Sequence, residues 1–222
     1  MVDVGGAIDE HRAEIKGRTI MLLVGRYASP FVRRVGVSLK ILGLGFEQKA
    51  VSTIQNRAEV EAFNPLGRVP ALVLADGEVL IDSTPILDYL DELVGPERAL
   101  VPPSGAARRQ VLRLVAYGMG AMEKTLACFI ERTLRPVDTR HQALLERFVQ
   151  QALAGLEQLD RAVPDGGWLY GGKVTQADIS AVAAMDFLRQ SWPEMLPAGR
   201  LPRLDALRDR AYALPAFSET VA

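Results

Sequence analysis

One cysteine, Cys128, and two histidines, His11 and His141, are all that this 222-residue sequence offers of the soft metal ligands. A single thiol closes no internal disulfide and makes no Cys-x-x-Cys redox pair, and two distant histidines leave a zinc site short of ligands. An excess of either charge is lacking too: 26 lysines and arginines stand against 27 aspartates and glutamates, for a formal net charge of −1. That balance gives no electrostatic reason to expect nucleic acid or an anionic membrane as a partner. No apolar run approaches the ~20 residues of a membrane span, and the N-terminal stretch lacks the apolar core of about 7 to 15 residues that marks a signal peptide. The expectation is a soluble, cytoplasmic protein without a metal. With 49% apolar and 24% charged residues, the chain can bury one large core or two small ones.

What is present is ordered by period and by punctuation. Residues 1–18 are polar and glycine-bearing, with no face to bury, and read as a mobile extension. Residues 20–24 are an apolar run of strand length, which Tyr27-Ala28-Ser29-Pro30 breaks. Phe31, Val32, Val35, Val37, Leu39 and Leu42 then recur at helical spacing until Gly43 and Gly45 stop the helix. Residues 46–51 alternate as a second strand, 59–63 make a short helix, and Asp76-Gly77 turns a hairpin between strands at 71–75 and 79–81. A helix over 84–93 completes the order βαβαββα, a thioredoxin-like pattern.

Gly95-Pro96 and Pro102-Pro103-Ser104-Gly105 bracket a linker, because prolines and glycines at that density stop both regular structures. Everything beyond reads as helix. One helix carries Val111, Val115, Met119, Met122, Leu126 and Phe129 to a stop near Pro136, and a second carries Leu145, Phe148, Ala152, Leu156 and Leu159. Thr175-Gln176-Ala177-Asp178 is a capping box with Val174 and Ile179 as its staple, and a last helix covers 203–213. The expected class is α+β in two domains: the extension at 1–18, a thioredoxin-like domain at 19–95, a linker at 96–105 and an all-helical domain at 106–222.

The most informative stretch runs from Asn64 to Leu87. Asn64, Pro65 and Gly67 make a turn, and Val69-Pro70 enters an apolar run where proline has no amide to give a ladder. X-Pro bonds are the ones in which cis costs as little as roughly 0.5 to 1 kcal/mol, and a cis bond here would turn the Val69 backbone toward a ligand. After the hairpin come Asp82 and Ser83, and Thr84-Pro85 opens a helix whose unpaired amides suit a carboxylate. This combination of Val-Pro, two strands and an acid-Ser pair resembles the glutathione-binding half of the glutathione transferase family.

The start of the first helix supports the same resemblance. Taken locally, Ser29 is an N-cap with Pro30 at the first helical position, or it is a hydroxyl that stabilises a thiolate, since helix amides and a donated hydroxyl both favour an anion. Tyr-Ala-Ser-Pro-Phe-Val-Arg-Arg-Val, residues 27–35, is similar to the active-site segment of serine-type glutathione transferases, in which the serine before proline holds the glutathione thiolate. The resemblance implies Ser29 as the catalytic hydroxyl, with Tyr27 as its rival. It implies glutathione contacts from Val69, Pro70, Asp82 and Ser83, with Asp82 on the ammonium and Ser83 on the adjacent carboxylate. Arg68 or Arg57 would take the glycine carboxylate, and Arg34 matches an arginine common in this helix.

Glutathione would then lie against the first domain as a co-substrate, its thiolate attacking a small electrophile without a metal. Tyr27, Tyr117 and Met122 are the candidates for the second-substrate pocket, beside the helical glycines Gly118 and Gly120, which admit a close neighbour or leave room. Cys128 reads as buried and inert. The family also implies a homodimer, for which Phe63 or Leu66 would be the apolar key. The alternatives are a glutathione-dependent isomerase or dehalogenase, and a non-catalytic protein-binding member that would need neither Ser29 nor Asp82.

Overall fold

The computed structural model describes residues 20–221, so the extension expected at 1–18 lies outside the described residues. The chain divides into two compact units, one running to Ala99 and taking in the residues from Ser218, the other Leu100–Phe217.

The first unit follows the order β1 (Met21–Val24), α1 (Pro30–Ile41), β2 (Phe46–Lys49), α2 (Arg57–Phe63), β3 (Ala71–Val73), β4 (Val79–Ile81) and α3 (Ser83–Val94). The sheet order is β2-β1-β3-β4, with β1 parallel to β2 and antiparallel to β3, and β3 antiparallel to β4. Register sets Val24 opposite Ala71 and Val73 opposite Val79. The pleat therefore gives Leu22, Val24, Ala71 and Val73 to one face, where Val60 and Phe63 of α2 join them in a buried cluster. Leu23 and Leu72, both without exposed surface, belong to the opposite face, against which α1 and α3 pack.

Phe63 is 6% exposed, which removes it as an apolar key: two residues after Glu61 on a short helix, it turns inward to fill this cluster. Leu66, in the turn that follows, is 68% exposed. The second strand is shorter than its alternation implied, because β2 pairs along one side only and both central residues, Glu47 and Gln48, are exposed.

The second unit contains α4 (Gly105–Leu134), α5 (Gln142–Ala162), α6 (Gln176–Ser191) and α7 (Pro202–Tyr212), with short 3-10 turns at Val137–Thr139 and Pro193–Met195, and the chain closes on a last turn of helix, α8 (Pro215–Ser218). Helix α4 packs on both α5 and α6. Its residue Gly118 allows the approach to α6, since a β-carbon there would stand 3.1 Å from the Ser180 backbone. Gly120 faces open space instead.

Helix α6 is buried from Gln176 to Met185 without a break, so its start has to be satisfied by the protein itself. The capping box is formed: Asp178 Oδ2 accepts from the Thr175 amide and hydroxyl, each at 2.8 Å, and Oδ1 accepts from the Leu169 amide at 2.7 Å.

Candidate functional site

Three segments of the first unit converge at one end of its sheet: the β1 to α1 turn, the loop before β3, and the start of α3. Ser29 caps α1 with extended backbone, and the Val32 amide donates to its Oγ at 3.5 Å. Pro30 occupies the first helical position, where no amide is needed. A capping serine uses an oxygen lone pair for the helix, so the hydroxyl proton is left to donate elsewhere.

Tyr27 is placed differently. Its ring lies over Gly36, where a β-carbon would stand 2.5 Å from Tyr27 Cε1 and 3.1 Å from its hydroxyl oxygen. Gly36 is two turns into α1, so the phenol is drawn along the helix, away from the amides of its first turn. Burial also pushes the Tyr27 phenol above its ordinary value. A phenol that is harder to ionise and drawn down the helix is poorly placed to act with those amides on an anion.

The Val69–Pro70 bond is cis. Among the described residues, neither the amide nor the carbonyl of Val69 has a hydrogen-bond partner. Unpaired backbone groups on a half-exposed residue seek water or a ligand. Gly25 brings Val69 up to the helix: a β-carbon on it would stand 2.5 Å from Val32 Cγ2 and 2.9 Å from Val69 Cβ. Its own backbone is held by the neighbouring strand, its amide donating to the Lys49 carbonyl at 2.9 Å and its carbonyl accepting from Gln48 Nε2 at 2.9 Å.

Asp82 stands at φ 64° and ψ 146°, the sole residue other than glycine with positive φ among those described. Such backbone costs an L residue about 1 to 3 kcal/mol and persists where surrounding bonds hold it. Here Asp82 Oδ1 accepts the Ser83 amide at 2.6 Å as the cap of α3, while Oδ2 lies 3.9 Å from Arg68 Nη2. The carboxylate stays 47% exposed, whereas Ser83 is fully buried.

Arg34, 1% exposed, crosses from α1 to donate to Ser83 Oγ at 3.2 Å. Burial pushes its guanidinium down to about 10, with the nearby charge of Asp82 acting the other way, so it is still a cation at neutral pH. Arg34 thus ties α1 to the start of α3 within this unit. Arg57 is engaged with Glu61 at 2.6 Å on the surface of α2 and is 78% exposed, a solvated pair.

The structure therefore brings Ser29, Val69, Pro70, Asp82, Ser83 and Arg68 to one end of the first unit. The remaining candidates lie on α4. Tyr117 is half-buried, but Met122 has no exposed surface to offer a ligand, so its place on the helical face makes it a core residue. Cys128 is 1% exposed, and burial pushes its thiol up to about 11. Sequence reasoning missed Gly25, Gly36, the side chain of Asn64 and the backbone of Asp82. Lone glycines after a strand and inside a helix are signals of close approach, whereas nothing in the letters Asp-Ser announces a positive φ. Among the described residues, no group of three or more His, Cys, Asp and Glu is placed to hold a metal ion.

Comparison with known proteins agrees with this geometry. Residues 23–98 match the family described as glutathione S-transferase, N-terminal domain, and residues 142–210 match glutathione S-transferase, C-terminal domain. The chain is 31% identical over 207 residues to a maleylacetoacetate isomerase of Pseudomonas aeruginosa, covering 90% of this chain and 94% of that protein. It is 32% identical over 204 residues to an uncharacterized GST-like protein of Escherichia coli, covering 90% and 98%. Among solved structures, a glutathione S-transferase of Methylobacterium radiotolerans in complex with glutathione sulfonate superposes with a TM-score of 0.85 at 30% identity, covering 91% of this chain and 95% of that one. One of Methylobacillus flagellatus with glutathione bound gives 0.83 at 26% identity, covering 90% and 98%. This chain belongs to the glutathione S-transferase family.

Proposed function

We propose that the protein is a glutathione transferase that joins the thiol of glutathione to a small electrophile. The observation that carries this reading is Ser29: its oxygen takes the Val32 amide at the start of α1, and its proton is left to donate to a sulfur. A thiolate held there feels both the hydroxyl and the positive end of the helix, and its pKa falls below the ~8.5 of a free thiol. The thiol proton leaves to solvent, the sulfur attacks the electrophilic carbon, and an S–C bond forms as the leaving group departs with its electron pair.

The rest of the unit binds the tripeptide. Val69 offers an unpaired amide and carbonyl to the cysteinyl unit and Asp82 its exposed carboxylate to the γ-glutamyl ammonium, while Ser83, fully buried with its amide and hydroxyl both donating to Asp82 Oδ1, holds that carboxylate in place. Arg68, 55% exposed beside Asp82, is a point charge for a carboxylate of the ligand. The chain works in the cytoplasm and as a homodimer; the pairing is supported by Leu66 and Ile54, 68% and 58% exposed on the loops either side of α2.

A second reading is supported by the isomerase relative at 31% identity. The same thiolate can add to a conjugated double bond, allow rotation about the resulting single bond, and be expelled, which returns glutathione unchanged. Incubation with glutathione and 1-chloro-2,4-dinitrobenzene tests the first reading: it requires thioether and chloride to form above the uncatalysed background. Turnover of an unsaturated diacid with glutathione required but not consumed, and no conjugation, would instead support the isomerase.

A further inference from the structure

We infer that Asn64 is a positioning residue of the thiol site, aiming the amide of Val69 through the peptide plane that Arg68 and Val69 share; the inference rests on the glutathione reading above. Asn64 ends α2 and is 2% exposed. Its carboxamide is spent on the following loop: Nδ2 donates to the Arg68 carbonyl at 2.9 Å, and Oδ1 accepts from the Leu66 amide at 3.0 Å. Its backbone carbonyl takes the Gly67 amide at 2.8 Å. One buried residue therefore closes the whole of 64–68.

A turn alone does not call for this. Pro65 and Gly67, the latter at φ 64°, already dispose the chain to reverse, and Leu66 at its tip is exposed. Burying a carboxamide costs free energy that only well-made hydrogen bonds offset. The particular bond to Arg68 has a consequence beyond the loop. The Arg68 carbonyl and the Val69 amide belong to one planar unit, and across a trans peptide they point in opposite directions. Val69–Pro70 is the one cis bond among the described residues, so the bond before Val69 is trans.

Holding the Arg68 oxygen on Asn64 thus turns the Val69 N–H away from the loop, to a side where no described group receives it. The Val69 side chain is meanwhile seated against Gly25. With both fixed, the amide is presented in one orientation before any ligand arrives, which is how a site lowers the entropy cost of binding.

The test uses the purified full chain and three variants. Asn64→Asp keeps the shape and the acceptor for Leu66 but sets an oxygen against the Arg68 carbonyl. Asn64→Ser is the second variant, with a side chain too short to reach that carbonyl, should the first fail to fold. Thr175→Ala destabilises the protein elsewhere. The readouts are KM for glutathione against kcat, and hydrogen exchange of the peptide containing Val69 with and without glutathione.

The inference expects the Asn64 variants to raise KM about tenfold, the equivalent of one hydrogen bond, with kcat little changed and the protection by glutathione at Val69 lost. Thr175→Ala should keep the parental KM and protection at a similar loss of melting temperature. Asn64 variants with parental KM and parental protection at Val69 would overturn the inference, leaving Asn64 a structural residue. Glutathione that protects the parent around Ser29 and Ser83 but not Val69 would overturn it alone. No protection anywhere in the parent would overturn the functional reading and this inference together.

Discussion

Gly25 takes φ 125° where β1 ends, and a β-carbon there would stand 2.5 Å from Val32 Cγ2 and 2.9 Å from Val69 Cβ. Gly43, at φ 66° behind α1, has nothing within 4 Å of the same point. The two separate strain from collision. Gly43→Ala should cost about 1 kcal/mol for its positive φ, whereas Gly25→Ala should cost about 3 kcal/mol or more and weaken glutathione binding, because it pushes Val69 off the helix. Denaturant melts with glutathione titrations check both, and equal losses would mean that Gly25 does not set the site.

Cys128 belongs to this scale as well. A thiol held at about 11 favours its proton more in the folded chain than in the unfolded one, so stability should fall as pH rises from about 8.5 through that value. A disulfide reagent at pH 8 should find no reactive thiol in the native protein within minutes and one per chain in denaturant. Rapid labelling of the native chain would contradict its burial.

At the scale of elements, the capping box decides how α6 can be buried along its N-terminal ten residues. Thr175→Ala should destabilise by about 1 kcal/mol, roughly 2 to 4 °C in melting temperature, and leave glutathione affinity unchanged. Asp178→Ala should cost more, about 3 kcal/mol, since it strands the Leu169 amide together with both donors of Thr175. Calorimetry of the two variants checks the order, and a larger loss from Thr175→Ala would reverse the account.

The order of strands and helices, the box and the Ser-Pro start of α1 were legible in the sequence because each is a local signal: a period, a cap, a turn pair. Hairpin strand β4 fell where the Asp76-Gly77 turn put it. Asp82 was legible as a chemical type but not as a conformation, because its φ is set by the meeting of β4, Arg68 and Ser83. Gly118 and Met122 share one helical face by spacing, yet the first admits α6 and the second is simply core. That difference arises from which neighbour each meets, which periodicity does not encode.

The molecule as a whole is expected to pair with a second copy. Leu66, 68% exposed, is the apolar group proposed to be covered, so light scattering should give twice the chain mass at micromolar concentration and Leu66→Lys should shift it toward one. A parent that scatters as a single chain would refute the pairing.

The account rests, however, on one hydroxyl acting on one sulfur. Its most direct test is the ultraviolet absorbance of the glutathione thiolate, titrated against pH when bound to the parent, to Ser29→Ala and to Tyr27→Phe. Losing a hydrogen bond to a charged group is worth roughly 1.5 to 3 kcal/mol, or about one to two pKa units on the thiol. The account predicts that Ser29→Ala raises the bound thiol's pKa by that amount while Tyr27→Phe leaves it in place. A Ser29→Ala curve that overlies the parent, or a curve moved by Tyr27→Phe alone, would contradict it.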